Sequence, residues 1–184
     1  MAKFKISGNT KLQGEIKVAG NKNAALPILA ATVLTDESCE LKNVPDIVDV
    51  HSMLDLLENL GKHVNKLNKN HYKISGAVSK NKLDEDMAKK LRASILFLSG
   101  LVARQGKIEM PPPGGCVIGR RKVDTHFQVI KHFAGEVEIL DNGNYLAKLE
   151  DPEPGRLFLD EVSVTGTENA LILAAAIPGE TIIY

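Results

Sequence analysis

The sequence is short of several things, and each shortage closes a class of function. Lys plus Arg and Asp plus Glu both number 23, so no net charge of either sign is left to draw the chain to nucleic acid or to an anionic membrane. Any anion site must be local. No apolar run approaches the roughly 18 residues of a membrane-spanning helix, and the opening MAKFKISGNT lacks the apolar core of a secretory signal. The cytoplasm is the expected compartment. The two cysteines, Cys39 and Cys116, are too few for a disulfide framework, and no Cys/His cluster has the spacing of zinc ligands. No metal is expected.

What the chain does have is a core and a repeat. At 184 residues with 43% hydrophobic content it can bury a substantial interior. The segment VDVHSMLDLLENLGKHVNKLNKNHYKI from Val48 is echoed by VDTHFQVIKHFAGEVEILDNGNYLAKL from Val123, an offset of about 75 residues. Each copy places Asp (Asp49, Asp124) before an apolar-periodic run, then Gly (Gly61, Gly135), then alternating residues around an Asn-rich turn. That pattern predicts a helix capped by the Asp, a Gly stop and a β-hairpin.

Ahead of each copy lies a helix, turn and strand pattern, ALPILAATVLTDESCEL from Ala24 and SILFLSGLVARQGKIEM from Ser94, and ALILAAAIPGETIIY from Ala170 begins it a third time. VTGTEN at 164–169 matches VAGNKN at 18–23. The expected fold is α/β, built by pseudo-symmetry from βαβαββ units at about 20–92 and 93–165, with a third beginning at 166–184. The helix from Ala24 has no polar face and is expected at the centre. The final TIIY reads as a strand left with an unpaired edge, so the sequence is expected to be a fragment.

Residues that keep the fold should recur in every unit, and single-copy residues are the better candidates for chemistry. Gly20 and Asn23 recur as Gly166 and Asn169, whereas Lys22 aligns with Glu168. A Gly turn opening a helix offers backbone N–H groups and the positive end of the helix dipole, and Lys22 adds a full charge there for a phosphate or carboxylate. Arg92 is a second single-copy cation. The loop PPPGGCVIGRRKVD, 111–124, replaces the short LKNVPDIVD of the first unit. Its prolines and glycines forbid a helix and suit a movable lid, with Cys116 near Arg120, Arg121 and Lys122, cations that favour a thiolate and that fit equally a solvated basic loop or a diphosphate site. Cys39, in a strand, reads as a small hydrophobe.

GNKNAALP at 20–27, LRAS at 91–94, PGGCVIGRRKVDTHF at 113–127 and VSVTGTEN at 162–169 together resemble the enolpyruvyl transferase family of peptidoglycan synthesis. The resemblance covers this whole chain but less than half of a complete member, which has two domains of three units each in an inside-out α/β barrel. It implies transfer of enolpyruvyl from phosphoenolpyruvate to the 3-hydroxyl of UDP-N-acetylglucosamine, by addition and then loss of phosphate, without metal or organic cofactor. It further implies that residues 1–19 form a strand of the other domain, which is missing here with its C-terminal residues, so that this piece alone should not turn over. Lys22 and Asn23 are implied to meet phosphoenolpyruvate, and Cys116 to act as catalytic proton donor and as the nucleophile behind fosfomycin sensitivity. The nucleotide sugar is implied to meet Arg92, whose charge with that of Lys22 also suits the phosphate and carboxylate of phosphoenolpyruvate, then Arg121, Lys122, Val123, Asp124 and Thr125, and then Glu161, Val162, Ser163 and Val164.

Two runs depart from the family. Arg-Pro-Val-Asp-Leu becomes Arg121–Thr125 with Lys for Pro and Thr for Leu, and Lys-Val-Ser-Val-Gly becomes Glu161–Thr165, with an acid where a cation would meet the diphosphate. A carboxylate there costs on the order of 1 kcal/mol in water. Rival readings are the sibling that uses shikimate 3-phosphate, which lacks the cysteine lid and has Lys-Ser at Lys22-Asn23; a non-catalytic nucleotide-sugar-binding relative; and a redox sensor built on Cys116.

Overall fold

A computed structural model of the chain describes residues 3–114 and 122–184. The first unit opens with α1 (Lys22–Ala31), capped by Asn21, whose side chain accepts from the Ala24 N–H at 3.2 Å. A 3-10 turn, Thr32–Leu34, leads on to β1 (Cys39–Lys42), then α2 (Val48–Asn59) and the hairpin β2 (His63–Asn68) and β3 (His71–Ser75). The second unit begins with a single turn, α3 (Glu85–Ala88), capped by Asp84, and a 3-10 stretch Arg92–Leu96. It continues with α4 (Phe97–Gln105), β4 (Lys107–Met110), α5 (Asp124–His132), β5 (Gly135–Ile139) and β6 (Tyr145–Leu149). The third contributes β7 (Arg156–Leu157), α6 (Val164–Ala174) and β8 (Ile182–Ile183).

Both complete units build the same antiparallel sheet, in the orders β1-β3-β2 and β4-β6-β5. The second hairpin strand is central in each: Ile74 lies between Cys39 and Val64, and Ala147 between Ile108 and Val137. Alternation sets which face is buried, as in β3, where Tyr72 and Ile74 point inward and Lys73 outward. In the third unit β7 and β8 pair in parallel across α6, and the second unit makes the same crossover at one parallel bridge, Lys82 to Glu109. Helices α1, α4 and α6 pack on one another, with α2 against α1 and α5 against α6. Their shared core includes Leu29, Val33, Phe97, Leu98, Leu101 and Leu173, all buried, each worth about 2 kcal/mol of apolar burial.

Three expectations are corrected. The central helix is α4, buried on every side from Phe97 to Val102, whereas α1 leaves Ala24 and Ile28 exposed, the latter by 49%. Gly100 permits this: a Cβ there would stand 2.5 Å from Val33 Cγ2. Asp49 and Asp124 do not cap their helices; they lie inside the first turns after Ile47 and Val123, where they complement the helix dipole. Gly61 turns the chain after α2 at φ +103°, but after α5 it is Ala134 that takes the left-handed conformation, at φ 61°. Gly135 is needed for space instead, since a Cβ would meet Ile130 Cγ2 and the Lys148 carbonyl oxygen, both at 2.7 Å. The terminal strand β8 pairs with β7 on one side, and Tyr184 stacks on Phe158 with centroids 4.5 Å apart, while among the described residues its other edge has no partner strand. Residues 3–19 run outside any strand, with Phe4, Ile6, Leu12, Ile16 and Val18 exposed.

Candidate active site

Segments of all three units that open onto helices converge on one cleft of about 410 Å³. From the first unit come Lys22, Asn23, Leu26 and Pro27 of α1, and Asp49 of α2; from the second, Lys90 to Ala93 and Leu96; from the third, Val164, Thr165 and Glu168 of α6. Lys22 Nζ donates to Asp49 Oδ2 at 2.9 Å, which holds the ammonium at the cleft wall. Pro27 has no N–H to give to the Asn23 carbonyl four residues back, so that oxygen lacks its usual helical donor. Arg92 Nη2 donates to the Lys122 carbonyl at 3.0 Å, joining this cleft to the entry of α5. Helix starts and three cations, Lys22, Lys90 and Arg92, make a cleft that can hold a small anion.

Beneath the cleft runs a buried polar network. Asn169 Nδ2 donates to the Ile95 carbonyl at 3.0 Å and to His126 Nδ1 at 2.7 Å, while its Oδ1 accepts from the Ser99 N–H at 3.3 Å. With Nδ1 accepting, the imidazole proton sits on Nε2 and points to Thr165 Oγ1 at 3.3 Å. One residue of α6 thus fixes the 3-10 stretch carrying Arg92, the start of α4, and α5. Burial, and then the nearby Arg92 charge, push the His126 pKa down to about 4, so the ring is neutral at pH 7. Burial also raises the Glu168 carboxyl above its ordinary range.

A second cleft, of about 210 Å³, lies beside the first, lined by Lys122, Asp124, Thr125, Gln128, Asp160 and Glu161. It adjoins a third, of about 460 Å³, that shares Asp124, Gln128 and Asp160 and adds Phe127, Lys131, His132, Leu157 and Phe158. Two of the departures from the family pattern touch here: Thr125, buried, donates its hydroxyl to Glu161 Oε1 at 3.0 Å. Gln128 clamps the strand segment opposite, giving its Nε2 to the Phe158 carbonyl and accepting from the Asp160 N–H.

The sequence candidates therefore divide. Lys22, Asn23, Arg92 and Val164 share the first cleft, and Lys122, Asp124, Thr125 and Glu161 the second. Val123 packs partly into the core, Ser163 caps α6 by accepting from the Gly166 N–H at 3.1 Å, and the Val162 side chain stands free in solvent. Cys116, Arg120 and Arg121 lie outside the described residues. Asn23 and Asn169 occupy matching repeat positions yet differ: Asn169 is buried in structural bonds and Asn23 is exposed at the cleft. His51 and His126 differ likewise, His51 meeting Asp46 at 2.7 Å at the surface. Sequence reasoning missed Lys90, Asp160 and Gln128 as cleft residues and the pairing of Asp49 with Lys22. For Asp49 the usable signal was its place on a helix start flanking the Gly turn. Among the described residues no group of three or more His, Cys, Asp or Glu side chains is placed to hold a metal, and no helix is long and apolar enough to cross a membrane.

The three-unit arrangement has the fold of an enolpyruvyl transferase: the crystal structure of the enolpyruvyl transferase NikO from Streptomyces tendae superposes with a TM-score of 0.78 over 96% of this chain and 41% of that one, at 18% identity. At the level of sequence the pattern of one family matches residues 6–184. The chain belongs to that family, described as EPSP synthase (3-phosphoshikimate 1-carboxyvinyltransferase). Within it, the chain is 48% identical over 185 residues to a UDP-N-acetylglucosamine 1-carboxyvinyltransferase of Treponema denticola, covering all of this chain and 43% of that protein. It is 43% identical over 185 residues to a protein of the same name from Idiomarina loihiensis, covering all of this chain and 44% of that one. The chain thus spans less than half the length of these relatives.

Proposed function

We propose that the chain forms the first catalytic portion of an enzyme that transfers the enolpyruvyl group of phosphoenolpyruvate to the 3-hydroxyl of UDP-N-acetylglucosamine and releases phosphate, the entry reaction of peptidoglycan synthesis. The observation that carries this reading is the cleft that gathers Lys22 and Asn23 of α1 with Arg92 of the 3-10 stretch ahead of α4. Attack on C2 of phosphoenolpyruvate builds positive character between two anionic groups, and fixed cations on phosphate and carboxylate favour that state. The adjoining cleft with Lys122, Asp124 and Thr125 takes the nucleotide sugar, and Cys116 protonates C3 and reacts with fosfomycin. The relatives' shared name supports this acceptor over shikimate 3-phosphate.

In this reading residues 1–19 belong to the second domain, and the exposed apolar side chains Phe4, Ile6, Leu12, Ile16 and Val18 await its sheet. Residues 20–184 are the first domain, and the enzyme works in the cytoplasm, in cell-wall growth and hence cell shape and division. A second reading, a nucleotide-sugar-binding relative without turnover, draws on the carboxylates of Asp124, Asp160 and Glu161 around the acceptor cleft. Phosphate release by the full-length protein, with each acceptor in turn and with Cys116→Ala, separates them. Release with the nucleotide sugar that the variant abolishes supports the transferase; nucleotide-sugar binding with no release supports the second reading.

A further inference from the structure

Glu168 is the odd charge in the first cleft. The repeat sets it where the first unit has Lys22, so the pseudo-symmetry brings a cation and a carboxylate to walls of the same cavity. Among the described residues it has no hydrogen-bond or ion-pair partner. A half-buried carboxylate without a donor is costly in its charged form. The charged groups that line the cleft with it are Lys22 on α1, Asp49 on α2, and Lys90 and Arg92 ahead of α4. Lys22 is already paired with Asp49, the Arg92 guanidinium is engaged at Lys122, and among the described residues Lys90 makes no ion pair with Glu168. A dianionic phosphate entering this space adds a like charge beside Glu168 and favours its neutral acid further.

Resting on the proposed transfer reaction, we propose that Glu168 is a further catalytic residue, the acid that protonates the departing phosphate. In the breakdown of the tetrahedral adduct the C2–O bond to phosphorus breaks and its electron pair stays on the phosphate oxygen. That oxygen takes the proton from the Glu168 carboxyl. C3 gives up a proton to the group that supplied it, forming the C2–C3 double bond, and the Glu168 carboxylate regains its proton from water before the next turnover. Lys22 and Arg92 hold the anion, and Glu168 discharges it.

The test uses the full-length protein with phosphoenolpyruvate and UDP-N-acetylglucosamine, as wild type, Glu168→Gln and Glu168→Asp, from pH 5.5 to 9. Wild-type kcat should fall on the basic side as the acid ionises. Glu168→Gln should lose that limb and about a hundredfold in kcat, with KM for phosphoenolpyruvate within about threefold of wild type, and Glu168→Asp should recover part of the rate. Calorimetric titration of phosphoenolpyruvate in buffers of different ionisation heat should register proton uptake by wild type and none by Glu168→Gln. If the glutamine variant binds phosphoenolpyruvate with the same proton uptake, or turns over with an unchanged rate and pH profile, Glu168 is not the acid although the transferase reading stands. Wild type that binds but releases no phosphate overturns both.

Discussion

Acid should loosen this protein through one ring. Burial pushes the His126 pKa from its ordinary 6.5 down to about 4 in the folded protein, so between these two pH values the unfolded chain binds a proton that the folded chain refuses. Stability is therefore full above pH 6.5, falls as pH drops through that window, and has lost this contribution by pH 4. The gap corresponds to about 3 kcal/mol, at up to about 1.4 kcal/mol per pH unit. The cost is structural as well as electrostatic, because a proton on Nδ1 would face the Asn169 Nδ2 donor at 2.7 Å. Urea unfolding at pH 7.5, 6.5, 5.5 and 4.5 measures the slope. His126→Asn, whose Oδ1 still accepts where Nδ1 did, removes the titration while keeping the bond, and should flatten the curve across the window. A wild-type slope that the variant leaves unchanged would refute the reasoning. Glu40, Asp46 and Glu109 titrate lower than ordinary carboxylates because His71, His51 and Lys82 hydrogen-bond to them, so their share is lost only at more acid pH.

Asn169→Leu should destabilise by about 3 kcal/mol, since it strands the Ser99 N–H, the Ile95 carbonyl and His126 in a dry interior; thermal unfolding checks it. Gly20→Ala would set a Cβ 1.7 Å from the Asn43 carbonyl oxygen and must displace the start of α1, so a lower melting temperature and weaker phosphoenolpyruvate binding are expected together. Lys22→Met should raise KM for phosphoenolpyruvate by ten- to a hundredfold, about 1.4 to 3 kcal/mol, leaving nucleotide-sugar affinity near wild type, as calorimetry of each ligand would show. Glu161→Lys reverses the charge beside Thr125 and should tighten UDP-N-acetylglucosamine about five- to tenfold, an effect that high salt erases if it is electrostatic.

The repeat was legible because its signals are local. Apolar spacing specified the runs that became α1, α2, α4, α5 and α6, and Asn-rich turns between alternating residues specified both hairpins. Comparing one unit with the next also separated Lys22 and Arg92 from residues that keep the fold, and the structure puts both in one cleft. The same comparison misled at Asn23. Equivalent places in two units meet different neighbours: Asn169 is closed in by α4 and α5, while Asn23 opens on the cleft.

Chain order alone thus determined the α/β class, the pseudo-symmetric units and the cationic helix start, because each is written in residues a few positions apart. Tertiary structure decided that α4 is the buried centre, since Gly100 lets Val33 approach. It likewise decided that Asp49 holds Lys22, that Thr125 meets Glu161, and that Asn169 ties down His126. Those partners lie 27 to 43 residues apart in the chain, and no periodicity encodes a hydrogen bond between side chains that only the packing of separate helices brings within reach.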